Sequence, residues 1–86
     1  MTEAEINLAI AKIEYPNEPD RNLIDHNYCS EWSAIGPIIE REKITTTFND
    51  TYLCWIAHDG YNNFLVQSDS LTEAAALCYL NMKGVE

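Results

Sequence analysis

The residues of this chain that could do chemistry are two histidines, three cysteines and fourteen carboxylates, in a sequence of 86 residues. Asp25-His26-Asn27-Tyr28-Cys29 places a carboxylate, an imidazole and a thiol close together in sequence. Such a set would serve either as metal ligands or as a Cys–His pair. A nucleophilic cysteine needs a base within hydrogen-bond reach and a site for the oxyanion, and neither is visible in the order of residues. His58, the other histidine, stands beside Asp59-Gly60 and could join a zinc site only with ligands from elsewhere. The remaining constellations are weak. Among fourteen acids some pair always lies close, so paired carboxylates of the glycosidase kind are not diagnostic. Three glycines in no Gly-x-Gly arrangement exclude a phosphate loop, and no serine sits in a nucleophile elbow. The expectation is a protein that is not an enzyme and carries no cofactor. A small metal-binding or hydrolytic protein built on Asp25, His26 and Cys29 is the alternative.

Cys29, Cys54 and Cys78 are odd in number and widely spaced, which fits neither a disulfide framework nor a zinc knuckle. They read as reduced, buried thiols. The chain opens without a basic n-region or an apolar h-region, and no apolar run approaches the roughly 20 residues that span a bilayer. The reading is a soluble cytoplasmic protein that does not engage a membrane.

Fourteen acids against five bases give a formal charge of −9. Direct binding of DNA, RNA or anionic lipid needs a basic footprint and is not expected. The charge is unevenly spread. Residues 1–31 hold seven acids against Lys12 and Arg21; residues 32–44 are neutral; residues 45–86 hold five acids against Lys83. Acids in the first stretch, Glu14, Glu18, Asp20, Asp25 and Glu31, are the candidate surface for a basic protein partner.

The elements that must position these groups follow from periodicity. Thr2-x-x-Glu5 is a capping box, and Ile6, Ala9, Ile10 and Ile13 recur on one helical face, predicting a helix over 3–14 that Tyr15-Pro16 ends. Residues 15–30 are rich in turn formers and read as an irregular acidic loop, with Leu23-Ile24 and Tyr28 as possible anchors. Loops of this length in small domains are often functional. Ser30 or Ser33 can cap a second helix containing Trp32, Ile35, Ile38 and Ile39. Gly36-Pro37 either splits it into a turn at 31–35 and a helix at 37–43 or bends one helix. Glu40 and Lys43, three apart, could pair.

Ile44–Phe48 reads as an edge strand and Thr51–His58 as a second strand. Asp59-Gly60 signals a type I′ hairpin returning through Tyr61–Gln67. Tyr52, Trp55, Tyr61 and Phe64 are expected mainly in the core, and any left exposed would form a protein-binding patch. Ser70-x-x-Glu73 is a second capping box for a helix over 71–83, with Leu71, Ala74, Ala75, Cys78 and Met82 inward and Gly84 as its C′ residue. The expected fold is a single α+β domain spanning 1–86, in which three helices pack on a three-stranded antiparallel meander.

Cys29-Ser-Glu-Trp-Ser-Ala-Ile-Gly-Pro-Ile-Ile-Glu40, with Lys43-Ile44 entering a strand, resembles the signature of the NinX-type proteins of lambdoid phages and prophages. The closing segment Leu71–Lys83 and the opening helix ending in Tyr15-Pro16 are similar to theirs as well. Residues 45–69 carry no such likeness. The resemblance implies a phage accessory protein in a bacterial host cytoplasm and supplies no mechanism. Joined to the acidity, it suggests a protein that docks on a host or phage protein, as a monomer or small homo-oligomer. A sharper form is an acidic inhibitor of a nucleic-acid-binding or defence protein.

Overall fold

The computed structural model describes residues 2–23, 25–60 and 65–84. Helix α1 runs Glu3–Glu14. Its capping box forms as the sequence implies: the Glu5 amide donates to Thr2 Oγ1 at 3.2 Å and the Thr2 amide donates to Glu5 Oε1 at 3.1 Å. Ile6, Ile10 and Ala11 are its buried residues.

The segment that follows is pinned, not free. A 3-10 turn at Asp20–Asn22 leads into buried Leu23, and Tyr28 and Cys29 are also buried. Ile24, the second residue of the expected anchor, lies outside the described residues. The Cys29 amide donates to Asn7 Oδ1 at 2.9 Å, and Thr72 Oγ1 donates to the Cys29 carbonyl. Asn7 also donates to Asn27 Oδ1 at 3.2 Å. A buried loop must find partners for its backbone polar groups, and here α1 and the final helix supply them.

Helix α2 is one helix, Trp32–Glu42, with Pro37 inside it. Its N-cap is Glu31, which makes no capping bond, so neither Ser30 nor Ser33 caps it. Ile35 and Ile38 are buried. Lys43 ends it in the left-handed region at φ 57°, and both Lys43 and Ile44 amides return to the Ile39 carbonyl. That turn carries Lys43 out of helical register with Glu40, and no ion pair joins them.

The sheet is a meander in the order β1 (Thr45–Asn49), β2 (Cys54–His58), β3 (Val66–Ser68), antiparallel throughout. β1 is an edge strand, as expected. β2 begins three residues later than the composition suggests. Asn49 Oδ1 accepts from the Thr51 and Tyr52 amides, and Leu53 takes φ 52°, so residues 50–53 are spent on the β1–β2 turn. The Asp59-Gly60 signal is also corrected. Ala57 pairs with Val66, a register that is not centred on Asp59-Gly60. Gly60 has positive φ but Asp59 does not, which excludes type I′. Tyr61–Phe64, expected at the start of β3, lie outside the described residues.

Helix α3 spans Leu71–Met82. Ser70 Oγ accepts from the Glu73 amide, but the reciprocal half of the box is missing because the Ser70 amide donates to Ser68 Oγ instead. Gly84 follows the cap at φ 77°, as a C′ glycine should. Ala74, Ala75, Ala76, Cys78, Tyr79 and Leu80 are all buried. A helix apolar nearly all round belongs in the middle of a structure, and α3 packs on β2 and β3 as well as on α1 and α2. The core is therefore centred on α3. Alternation puts Ala57, Trp55 and Val66 toward it, while Thr45, Thr47 and Gln67 on the opposite face of the sheet are exposed. The fold is a small α+β domain with three helices and a three-stranded meander. No helix among the described residues is long and apolar enough to cross a membrane.

Candidate functional site

The C-terminal ends of all three helices meet in one polar cluster. Arg41 donates through Nη1 and Nη2 to the two Glu14 oxygens at 2.8 and 2.9 Å. Tyr79, which is buried, donates its hydroxyl to Glu14 Oε2 at 2.6 Å. Arg41 Nε donates to Glu42 Oε2 at 2.9 Å, and Lys83 lies 3.2 Å from Glu42 Oε1. The bonds from Arg41, and then from Tyr79, hold the Glu14 carboxyl below the usual glutamate range. Arg41 holds Glu42 below it likewise. Cations at helix C-termini also meet the negative end of each helix dipole.

This arrangement reassigns part of the acidic surface expected from sequence. Glu14 is a largely covered tie between helices, and Asp20 sits 3.3 Å from Lys12 in an exposed ion pair. Glu18 accepts from Asn22 Nδ2 at 2.9 Å. Asp25 and Glu31 are exposed and make no ion pair among the described residues, and Glu40 shares that condition.

The Asp25, His26, Cys29 group does not converge. His26 stacks between Tyr15, at the end of α1, and Tyr28, with ring centroids 5.1 and 5.8 Å apart. Cys29 instead faces the first turn of α1, its Sγ 3.9 Å from the Glu3 carbonyl. Burial pushes the Cys29 thiol up to about 11, with Glu3 and Glu73 adding to it, so at neutral pH it is a thiol and not a nucleophilic thiolate. Burial pushes Cys78 up to about 11 as well. Among the described residues no three of His, Cys, Asp and Glu are grouped to hold a metal ion.

What the structure does assemble is a pair of grooves along α2. One, of about 260 Å³, is lined by Tyr15, His26, Tyr28, Ala34, Ile38 and the Glu14–Arg41 pair. The other, of about 420 Å³, is lined by Trp32, Gly36, Ile39 and Glu40. Ser33 and Pro37 line both and form the ridge between them. Burial pushes the Tyr28 hydroxyl up to about 12, so it stays a neutral hydrogen-bonding group at the first groove.

Trp32, assigned from sequence only to the second helix, stands 56% exposed in its first turn. A signal for this was Gly36, one turn on. A β-carbon at Gly36 would lie 3.2 Å from Trp32 Nε1 and 3.3 Å from Cε2, so the indole rests close against the glycine and would have to shift slightly for any larger residue. A second exposed apolar group occupies the β1–β2 turn. Tyr52 and Leu53 are 75% and 70% exposed beside Phe48, which packs edge-on against Trp55 at 5.2 Å. Tyr52 is thus outside the core that its β-forming neighbours suggested. No family model, curated protein or solved structure matches the chain.

Proposed function

We propose that this chain is a non-enzymatic phage or prophage accessory protein that acts in the bacterial cytoplasm by binding a protein of the host or of the phage. The observation that carries this reading is the placement of Trp32, Gly36 and Pro37. These are the residues on which the resemblance to NinX-type proteins rests, and they line exposed grooves instead of serving only the core. A large aromatic more than half exposed has more to gain from a partner than from solvent. Glu40 lines this surface, and Asp25 and Glu31 adjoin its residues His26 and Trp32 in the chain; none of the three forms an ion pair among the described residues, which favours a basic partner. An inhibitor of a nucleic-acid-binding or defence protein is the sharper form of the same reading, since such proteins present basic surfaces.

Affinity purification of the tagged protein from infected and uninfected host cells tests the reading. A partner retained at low salt and released as salt rises is the expected result. A partner whose binding ignores salt would remove the acidic-inhibitor form. Recovery of no protein under either condition would overturn the reading.

A further inference from the structure

We infer that the groove between Trp32 and Glu40 is a receptor for an arginine side chain carried on an extended segment of a protein partner. The inference rests on the protein-binding reading above and names the chemistry of its contact. Three electron-rich groups border the groove. The first is the Trp32 indole, held against Gly36 and open to solvent over more than half its surface. The second is the Glu40 carboxylate, exposed and without an ion pair. The third is at Ser33, a residue that lines the groove and whose carbonyl loses its usual i+4 donor because Pro37 has no N–H. Of the nearby cations, Arg41 is committed to Glu14 and Glu42, and Lys43 forms no ion pair with Glu40.

An arginine matches this set better than any other side chain. A guanidinium stacks on an indole face while its N–H groups point outward in the plane to carboxylate and carbonyl acceptors. A lysine ammonium can satisfy the carboxylate but cannot stack. An apolar side chain would leave the Glu40 carboxylate without an ion pair. The neighbouring groove over Tyr15, His26 and Tyr28 continues the surface across the Ser33–Pro37 ridge, which gives room for residues flanking the arginine.

The test is a titration of the full-length, nitrogen-15-labelled protein with a capped Ala-Pro-Arg-Pro-Ala peptide, followed by amide and indole resonances. Parallel peptides replace the arginine with lysine, with glutamate or with citrulline, its neutral isostere. The expected result is a saturable shift of the Trp32 indole N–H and the Gly36 amide, with the Trp55 indole unmoved. Citrulline should bind about twofold to fivefold more weakly, and Glu40→Gln should weaken arginine binding by a similar factor. Trp32→Leu should abolish it. Should that variant not fold, Glu40→Gln, a change at an exposed position, still decides. Equal binding of citrulline and arginine, an unaffected Glu40→Gln variant, or shifts gathered at Glu18 and Asp25 with Trp32 still, would each overturn the assignment. A cellular partner that binds Trp32→Leu as tightly as wild type would overturn the groove and leave the protein-binding reading standing. Peptide binding at Trp32 with no cellular partner recovered would do the reverse.

Discussion

Glu14 shows how one residue can be misassigned by counting charge. In sequence it is one of seven acids before Trp32; in the structure it takes two bonds from Arg41 and one from Tyr79 and ties three helices together. Nothing local announces this, because its partners lie 27 and 65 positions away. Its carboxyl is held below its ordinary value, mainly by the Arg41 bonds. A carboxyl with a lowered folded-state pKa stabilises the fold above its unfolded pKa, about 4.3, and that stability is lost as pH falls through the folded value. Glu14→Gln should therefore be less stable than wild type near neutral pH, and the gap should close as pH drops from about 6 to about 3. Denaturant melts of both proteins across that range check it. A gap that stays constant would mean the carboxylate charge contributes nothing. Tyr79→Phe, which removes one bond to the same carboxylate, should cost about 1–2 kcal/mol.

The three helices and the meander were legible because each depends on a short-range pattern. Thr2 and Glu5 mark a start, Tyr15-Pro16 a stop, Gly84 a C-cap, and the apolar spacing of α1 and α3 does the rest. What failed was turn chemistry. Tyr52 and Leu53 are strand formers by type, yet the Asn49 side chain captures two following amides and bends the chain before them. Leu53 then sits at φ 52°, where a β-carbon is crowded. Leu53→Gly should relieve that strain and stabilise the hairpin by about 0.5–1 kcal/mol, read as a rise in Tm; a fall would show that the exposed leucine packs to advantage. The loop over 15–30 was legible as irregular, and Leu23 and Tyr28 as its anchors, but not its polar ties, because these run through side chains from α1 and α3. Asn7→Ala leaves the Cys29 amide with no acceptor in a buried setting, and should cost about 1–3 kcal/mol and speed proteolysis between Pro16 and Cys29. An unchanged cleavage rate there would show that Leu23 and Tyr28 alone hold the loop.

Across the whole molecule the charge of −9 acts on folding and on binding in opposite ways. Lys12, Arg41 and Lys83 are in ion pairs with Asp20, Glu14 and Glu42, so the described structure neutralises a minority of its acids. The remaining like charges repel across a body only 42 × 22 × 21 Å in extent, where few surface groups are separated by many screening lengths. Self-repulsion of this kind weakens the compact state. Salt screens it, and the exposed ion pairs lost in exchange are worth about 0–1 kcal/mol each. Raising the salt from about 20 to about 300 mM, which shortens the screening length from about 20 Å to about 6 Å, should therefore raise the Tm. Partner binding through the acidic rim of α2 should weaken over the same range, because attraction between unlike charges is screened as readily as repulsion between like ones. Measuring both on one protein separates two origins of the acidity. Acids that only solubilise the domain raise the Tm with salt and leave binding untouched, whereas acids that recognise a basic partner move the two in opposite directions.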